Sequence, residues 1–354
     1  MIRLDGLRQF ATLLCLPVLL WSPAVSAQDP PQEQLEEPEE ESVDMPVALD
    51  EINVTAGYSI NRDEPTPTVA LTSAEILELP HFGDDVFRAL PLLPGVSGND
   101  VSAQFNVRGG LYRENLQRID GQEIFEPYHL KDFQGVFSIV DPDTLGGVDL
   151  INGGFPAEYG DRMSGVLDMT TKRPDARRFD LGISLTMARA SAAGRLANGK
   201  GAWMTSLRRG YLDLILGLVG EDEEEEREGS GPTYWDLFGK LDYELGPSQS
   251  VALQVLAADD RLDERESEIE DGFPEREESD TGYGNAYLWG RHLGIVGSQA
   301  FVESAVSLGR VDRDRHAAEE SFNRLFEIQD VRLIDVFGLG QDWSWQPSDR
   351  HLVM

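Results

Sequence analysis

Three short stretches decide the fold of the N-terminal half of the chain. They read FNVRGG at residues 105–110, RIDGQEI at 118–124 and VDLINGGFPAEYG at 148–160. Each is a short, partly apolar run that ends in turn chemistry, which is typical of a short β-strand. Asp120 and Gly121 form the dipeptide of a tight hairpin turn. The glycines that follow Arg108 and Ile151 indicate positive φ or a close approach of two backbones.

Helix signals precede these strands. Residues 72–75 read TSAE, a capping box in front of the apolar residues Ile76 and Leu77. A second short helix is expected from Asp84 to Leu90, closed by a Pro-Gly turn. Short strands and short helices together predict a small α/β domain.

The first residues predict export. Arg3 and Arg8 precede an apolar run over 10–21, and small residues follow it before Gln28. This is the layout of a signal peptide, here residues 1–27, and the run is shorter than the roughly 20 residues that a spanning helix needs.

An acidic leader follows. Residues 28–49 contain Pro, Gln and many Glu but no Lys or Arg, so we expect a disordered leader. Residues 50–56 read DEINVTA, in which Ile52 and Val54 alternate as in an extended strand. Such a strand could be added to the sheet edge of a partner. It could equally be the first strand of the following domain, which composition alone favours.

The C-terminal half alternates with a period of two. Apolar residues occupy the odd positions of 179–187 and of 235–245, whereas Asp236 and Lys240 stand at even positions. Strands with one apolar face suit an outer-membrane β-barrel. An antiparallel soluble sandwich has the same period, so periodicity leaves both open.

The connections between these strands favour the barrel. We expect strands at about 178–187, 189–196, 201–216, 234–245, 250–258, 283–296, 300–311 and 327–346, with a ninth beginning near His351. Short links lie at 197–201, 246–249, 297–299 and 347–350, and long acidic stretches, taken as loops, lie at 220–232, 259–281 and 312–326. Short turns at one end and long loops at the other are expected of an outer-membrane barrel.

Composition excludes several functions. The chain has 354 residues, 64 acidic against 30 basic, and a net charge of −34, which argues against binding nucleic acid. One cysteine allows no disulfide framework and no cysteine-based zinc site. No phosphate-binding loop, HExxH motif or nucleophile elbow occurs, so we predict neither enzymatic activity nor a cofactor. The acidic runs at 221–228 and 259–280 lack the spacing of an EF-hand, and we interpret them as solvated loops rather than metal sites.

Taken together and in this order, these segments resemble the N-terminal part of a TonB-dependent outer-membrane receptor. The resemblance implies a mainly β chain, with a small α/β plug domain at 57–174 followed by the first eight or so strands of an incomplete antiparallel transmembrane β-barrel at 178–354. The TonB box that it implies is Asp50, Glu51, Ile52, Asn53, Val54, Thr55 and Ala56. The plug motif that it implies is Arg108, Gly109, Gly110, Asp120, Gly121, Tyr159 and Gly160.

The resemblance also implies a function. The protein would lie in the outer membrane of a Gram-negative bacterium, in contact with its lipid, and would import a small scarce solute. A TonB-type energy-transducing protein of the inner membrane would pull on the plug. Tyr128 and His129 would lie in a loop that can face the ligand, although a surface histidine is the interpretation we favour for His129. Arg108 would pair with a carboxylate of the barrel wall.

Two further expectations follow. The family's barrel has twenty-two strands, so a chain with about eight is expected to be an N-terminal fragment, or a truncated product, of a longer receptor. The alternative function is a surface-exposed binding or assembly protein of the outer membrane that does not transport.

Overall fold

The computed structural model describes residues 68–78, 85–156, 158–160, 162–214, 228–229, 231–270, 273–297, 299–321, 324–348 and 351–353. The predicted signal peptide (1–27), leader (28–49) and TonB-box-like strand (50–56) lie outside these residues. Within this part of the chain, no helix is both long enough and apolar enough to cross a membrane.

The described residues between 68 and 172 form a small domain. Its strands are β1 (Thr68–Thr72), β2 (Val96–Gly98), β3 (Phe105–Val107), β4 (Leu116–Ile119), β5 (Gln122–Glu123), β6 (Tyr128–His129), β7 (Phe137–Ser138), β8 (Leu145–Ile151) and β9 (Val166–Thr171), and its helices are α1 (Ser73–Glu78) and α2 (Val86–Ala89). Single 3-10 turns lie at Leu90–Leu92, Tyr112–Glu114, Lys131–Phe133 and Pro142–Thr144. Five strands form a mixed sheet in the order β1-β8-β9-β4-β5, in which only β4 and β9 run parallel. Two hairpin pairs, β2–β3 and β6–β7, lie beside it.

Local sequence explains both helix starts. The capping box is confirmed, because the Thr72 backbone N–H donates to the Glu75 carboxylate at 2.8 Å and the Glu75 N–H donates to Thr72 Oγ1 at 3.4 Å. Asp85 caps α2 by accepting the Phe87 N–H at 2.8 Å. The Asp85 carboxylate also accepts the Ser138 hydroxyl at 3.0 Å, which ties α2 to β7.

The second structural unit is a long antiparallel sheet. Its strands are β10 (Arg178–Ile183), β11 (Met187–Arg195), β12 (Gly201–Gly210), β13 (Glu228–Gly229), β14 (Thr233–Gly246), β15 (Gln249–Glu270), β16 (Phe273–Val296), β17 (Ala300–Ser321), β18 (Arg324–Ser348) and β19 (His351–Val353). Each strand pairs with the next in sequence, except that the two-residue β13 pairs with β15 and β12 pairs with β14. The predicted mainly β fold, a small α/β domain followed by an antiparallel sheet that does not close among these strands, is therefore confirmed.

The long sheet has two chemically different faces. In β14, Tyr234, Asp236 and Phe238 are buried against the small domain, whereas Trp235 and Leu241 are exposed on the outer face. The outer face carries a band of exposed apolar side chains on successive strands, which includes Leu207, Leu241, Leu253, Leu288, Leu308, Phe337 and Leu339. The period of two thus places the apolar odd positions on the outer face, and the even positions, which include Asp236 and Lys240, face the small domain.

The prediction for the acidic stretches at 259–281 and 312–326 is wrong. They were predicted to be loops, but β15 and β16 stay paired out to Glu270 and Phe273, and β17 and β18 stay paired out to Ser321 and Arg324. Like charges and opposite charges both face each other across these hairpins, since Asp263 lies opposite Asp280 and Arg313 lies opposite Arg332. Arg265 lies directly opposite Glu278, with 3.3 Å between Nε and the carboxylate. Hydrophobicity gives no sign of such a strand, because most of its residues are charged or polar and its pairing consists of the backbone ladder.

One apolar cluster joins the two units. Phe87, Phe105 and Ile124 of the small domain belong to the same buried cluster as Phe238 and Trp289 of the long sheet. In a separate buried cluster the ring of Tyr234 lies over Gly210, where a Cβ would stand 2.0 Å from Tyr234 Cε1. Only glycine leaves room for this ring.

We expect Gly210→Ala to lower the free energy of unfolding by about 1–3 kcal/mol, because the new methyl group must displace Tyr234. Chemical denaturation of the purified protein in detergent measures this. Gly340→Ala is the control, because nothing lies within 4 Å of its Cβ position. Equal stability of the two variants would contradict the close packing at Gly210.

Candidate functional site: the contact between the small domain and the long sheet

A buried histidine forms the centre of the contact. His129 in β6 is fully buried, and its imidazole lies between the carboxylates of Asp236 in β14 and Asp260 in β15. Nε2 lies 3.0 Å from Asp236 Oδ2, and Nδ1 contacts Asp260 Oδ1. A ring with a carboxylate at each nitrogen donates at both only when it is doubly protonated. Histidine therefore acts as a cation here.

The backbone beside His129 also binds the Asp260 carboxylate. The Leu130 N–H donates to Asp260 Oδ2 at 2.6 Å. Leu130 adopts a left-handed φ of 55°, which costs a non-glycine residue roughly 1–2 kcal/mol. The hydrogen bond to a charged acceptor offsets part of that cost.

Arg208 in β12 completes this cluster from the sheet side. It lies directly opposite Asp236 in the sheet, and its Nε reaches the two carboxylate oxygens at 2.9 and 3.0 Å. Its NH2 group donates to the Ser138 carbonyl of the small domain at 2.8 Å. We call Arg208, Asp236, Asp260 and His129 the histidine clamp. The clamp has two cations and two carboxylates, so each buried charge lies next to an opposite charge.

The two carboxylates determine the charge of His129. Burial by itself lowers the pKa of the imidazole, but the neighbouring Asp260 and Asp236 outweigh it and raise the pKa to about 9. The ring also stacks on Tyr234, with 4.6 Å between the ring centres. The clamp is therefore charged near neutral pH.

A second contact starts from the turn between β4 and β5. Asp120 and Gly121 have φ values of 45° and 84°, as the predicted tight turn requires. The Asp120 carboxylate accepts from Lys240 at 3.2 Å and from Gln254 at 3.0 Å, both on the long sheet. Burial alone would raise the pKa of Asp120, but Lys240 and the Thr171 hydrogen bonds lower it. Asp120 thus forms the turn and also binds the sheet.

A third contact joins the 3-10 turn after β7 to β11 and β12. Arg189 lies 3.4 Å from Asp141 and bonds Asp143, and the Ser206 hydroxyl donates to Asp141. Arg189 and Arg208 stand directly opposite each other in the sheet. Two opposed arginines repel, so the carboxylates of the small domain stabilise this part of the sheet.

The other predicted plug-motif residues lie within the small domain. Arg108 is exposed, with a φ of 48°, and no ion pair joins it to any residue that the structure describes. Tyr159 is buried, donates to Asp168 at 3.2 Å and lies under Arg118. A Cβ on Gly110 would meet Ser164 Oγ at 2.3 Å, whereas Gly109 and Gly160 have open space around that position.

The favoured interpretation of His129 as a surface histidine is wrong. Its ring is fully buried, because two sheet carboxylates compensate its charge. Tyr128, the other candidate to face a ligand, is buried too and accepts a hydrogen bond from Gln117 at 2.9 Å. Sequence reasoning missed Arg208, Asp260 and Arg189. The sequence signal for each of them was a charged residue at an inward-facing position of an alternating strand. A residue in contact with water gives the same signal.

The described residues offer no metal site. Among them, no group of three or more His, Cys, Asp or Glu side chains could hold an ion. The arrangement of the three contacts suits reversible attachment of one unit to another.

Comparison with known proteins identifies the small domain. Residues 61–166 match the family model of the TonB-dependent Receptor Plug Domain. The match confirms the resemblance inferred from the sequence and the location in the outer membrane of a Gram-negative bacterium. It is a match to a receptor domain rather than to an enzyme. No curated protein matches the chain.

Several solved structures are similar to this chain at low identity. The siderophore receptor PirA from Pseudomonas aeruginosa is 15% identical with a TM-score of 0.38, over 80% of this chain and 62% of that one. The outer membrane transporter YddB from Escherichia coli is 11% identical with a TM-score of 0.42, over 78% and 54%. The ferric yersiniabactin uptake receptor FyuA from Yersinia pestis is 11% identical with a TM-score of 0.34, over 80% and 62%. The chain therefore spans between half and two thirds of the length of these three structures.

We expect Asp236→Asn to destabilise the protein by about 3–5 kcal/mol, because Arg208 and His129 lose the carboxylate that they share inside the protein. The free energy of unfolding in urea measures the loss. Glu278→Gln is the control, since Glu278 pairs with Arg265 on the long β15–β16 hairpin, where both side chains are partly exposed, and such pairs contribute at most about 1 kcal/mol. A similar loss in both variants would show that the buried clamp contributes no more to stability than an exposed ion pair does.

Stability should also depend on pH through His129. Its pKa rises from 6.5 to about 9 on folding, so its contribution is complete below pH 6.5 and is lost as pH rises through 9. That contribution is on the order of 3 kcal/mol at about 1.4 kcal/mol per pKa unit. We expect the melting temperature to fall with rising pH across this window, measured by thermal unfolding.

Two variants isolate the histidine. His129→Gln should be less stable below pH 6.5 and should show a smaller fall than the wild type, because only the wild type has this group to titrate. The exposed His316→Gln should keep the full pH dependence. Burial also lowers the pKa of Lys131, a second plug cation close to Asp260. The decisive quantity is therefore the difference between the variants, and identical slopes would refute the assignment.

Proposed function

We propose, from the premise that residues 61–166 are the plug domain of a TonB-dependent receptor, that this protein takes up a scarce solute across the outer membrane. The solute classes open to it are siderophores, cobalamin, saccharides and peptides. The plug domain blocks the path of the solute as long as its contacts with the long sheet are intact. Passage requires that those contacts open.

The observation that supports this proposal is the polar character of the contact between the plug domain and the long sheet. The plug domain meets the sheet through the histidine clamp, the Asp120 contact and the Arg189 contact, besides one apolar cluster. Hydrogen bonds weaken steeply once their geometry is lost, so a small displacement of the plug breaks them together. Water can then satisfy the freed charges. Such a contact is stable at rest and can open under a pulling force.

The outer face supports a place in lipid. Its apolar band runs over neighbouring strands, and Trp343 and Trp345 in β18 are half exposed near the end with short links. A lipid-facing apolar band flanked by aromatic residues is typical of outer-membrane barrels. By the same rule, the short links at 247–248 and 297–299 would face the periplasm. The long hairpins of β15–β16 and β17–β18 would face outside.

We further propose that residues 50–56 couple the receptor to its energy source. The alternation of Ile52 and Val54 suits a strand that is added to the sheet of a TonB-type protein of the inner membrane. The acidic leader at 28–49 precedes it. A pull on this strand reaches the plug domain through β1.

Ile52→Pro and Val54→Pro should each abolish uptake and leave binding at the cell surface intact, because proline removes the backbone donor of the added strand. Binding and uptake of a panel of radiolabelled ferric siderophores, cobalamin, maltodextrin and dipeptide by cells that carry the receptor measure both. Glu40→Pro in the leader is the control and should transport normally.

The outcomes separate the two functions. Uptake that persists in both strand variants would refute the energy-coupling assignment. Surface binding without uptake even in the wild type would favour the alternative, a binding or assembly protein of the outer membrane.

A further inference from the structure

Basic residues gather where the long sheet begins, although the net charge of the chain is −34. Residues 172–178 read KRPDARR, and Arg195 and Lys200 follow at the short turn between β11 and β12. β10 pairs with the end of β11, so these residues lie together at the end of the sheet with the short links. Arg177, Arg195 and Lys200 are exposed. We call these three residues and the neighbouring Trp203 the basic rim.

The charges of the basic rim are not compensated by the chain. In the part of the chain that the structure describes, no carboxylate pairs with Arg177, Arg195 or Lys200. Arg195 donates to a backbone carbonyl of the turn at 3.3 Å. Arg173 and Arg178, close by, do pair with carboxylates. Three cations at the rim are therefore available to an anion from outside the chain.

Arginines of the outer face that lie farther from the short links are different. Each of them has an aspartate within reach, and the pairs are Arg209 with Asp213 at 3.5 Å, Arg261 with Asp259 at 3.2 Å and Arg310 with Asp335 at 2.7 Å. Acidic residues outnumber basic ones by more than two to one, so a partner is the ordinary condition of an arginine in this chain. The unpaired rim departs from that condition at one end of the sheet only.

Arg177 and Trp203 lie side by side on the outer face. The Cβ position of Gly194 stands 3.1 Å from Arg177 Cγ and 3.5 Å from Trp203 Nε1. Gly194 is directly opposite Trp203 in the sheet, and residues so placed share a face. Leu207, four residues after Trp203 on the same strand, is exposed on the outer face, so Trp203 points there too. The outer face continues upward from Arg177 through the exposed apolar side chains of β10, which are Phe179, Leu181 and Ile183.

The turn that carries Lys200 is fixed by hydrogen bonds. Asn198 Oδ1 accepts the Lys200 N–H at 3.0 Å, and the Lys200 carbonyl accepts the Glu244 N–H at 2.8 Å. Asn198 Nδ2 also donates to the Tyr243 hydroxyl at 3.3 Å. The backbone of Lys200 is thus in place before any ligand arrives, which lowers the entropy cost of binding.

We propose that the basic rim binds the phosphate of an anionic phospholipid in the periplasmic leaflet of the outer membrane. The short links mark the periplasmic end of such a sheet. The planar fork of an arginine donates paired hydrogen bonds to phosphate oxygens, and a lysine adds a compact positive charge. An indole at a membrane boundary keeps its ring among the acyl chains and its N–H among the headgroups. The apolar face of β10 next to the rim receives the acyl chains, which a free phosphate does not have.

Native mass spectrometry of the purified protein in a neutral detergent tests the proposal. Dioleoylphosphatidylglycerol is the anionic probe, and dioleoylphosphatidylcholine is the zwitterionic comparison. We expect the anionic lipid to bind more tightly, and added salt to reduce the difference. Arg177→Gln should weaken binding of the anionic lipid about fivefold, and the double variant Arg177→Gln, Lys200→Gln about 25-fold, because each cation near a membrane surface contributes about that factor. Arg177→Lys should fall between the wild type and Arg177→Gln, since it keeps the charge and loses the planar fork.

Arg209→Gln is the matched control. Arg209 lies on the outer face of β12, the strand of Trp203, but at its other end, where Asp213 pairs with it, so its loss should leave the affinity for the anionic lipid unchanged. The thermal unfolding curve of each variant verifies that it is folded. Equal affinity of the wild type for the two lipids, unaltered affinity in the folded double variant, or an equal loss in Arg209→Gln would overturn the proposal.

Inorganic phosphate separates a lipid site from a site for a free anion. We expect an excess of inorganic phosphate to leave the anionic lipid bound, because phosphate buries no apolar surface on β10. Displacement of the lipid by phosphate would refute the assignment to a lipid. Arg177 and Trp203 lie on the outer face and the plug packs against the inner one, so these results do not depend on whether the protein imports a solute.

Discussion

The rest of the structure depends on the charge of His129. Asp236 and Asp260 lie on neighbouring strands of one face, and both carboxylates are buried next to the imidazole. Arg208 compensates one of them, and the imidazolium supplies the second positive charge. Because that charge comes from the plug, the sheet reaches its compensated state only with the plug in place.

The same relation holds around the clamp. Arg189 and Arg208 oppose each other, and Asp141 and Asp143 of the plug compensate Arg189. Asp120 of the plug likewise forms an ion pair with Lys240 of the sheet. Plug and sheet are thus complementary in charge at several separated points, while an apolar cluster fills the space between them. Complementary charges determine position more sharply than apolar area does, since the hydrophobic effect has no direction.

Local rules predicted much of this fold correctly. The capping box at 72–75 and the Asp120–Gly121 turn depend on residues a few positions apart, so the sequence displays them directly. The period of two in β14 showed which residues share a face. Hydrophobicity failed for the hairpins beyond Asp259 and Asp312, because most residues there are charged or polar and the strands pair through their backbone ladder without any apolar pattern.

The sequence by itself determined the strand period, the turns and the order of motifs that belong to a TonB-dependent receptor plug domain, because each is written in neighbouring residues. Only the tertiary structure decided the partners of the buried charges. His129 meets Asp236 and Asp260 across separations of 107 and 131 residues. An inward-facing aspartate has the same sequence pattern whether it meets water or a histidine, and the packing of plug against sheet makes that choice.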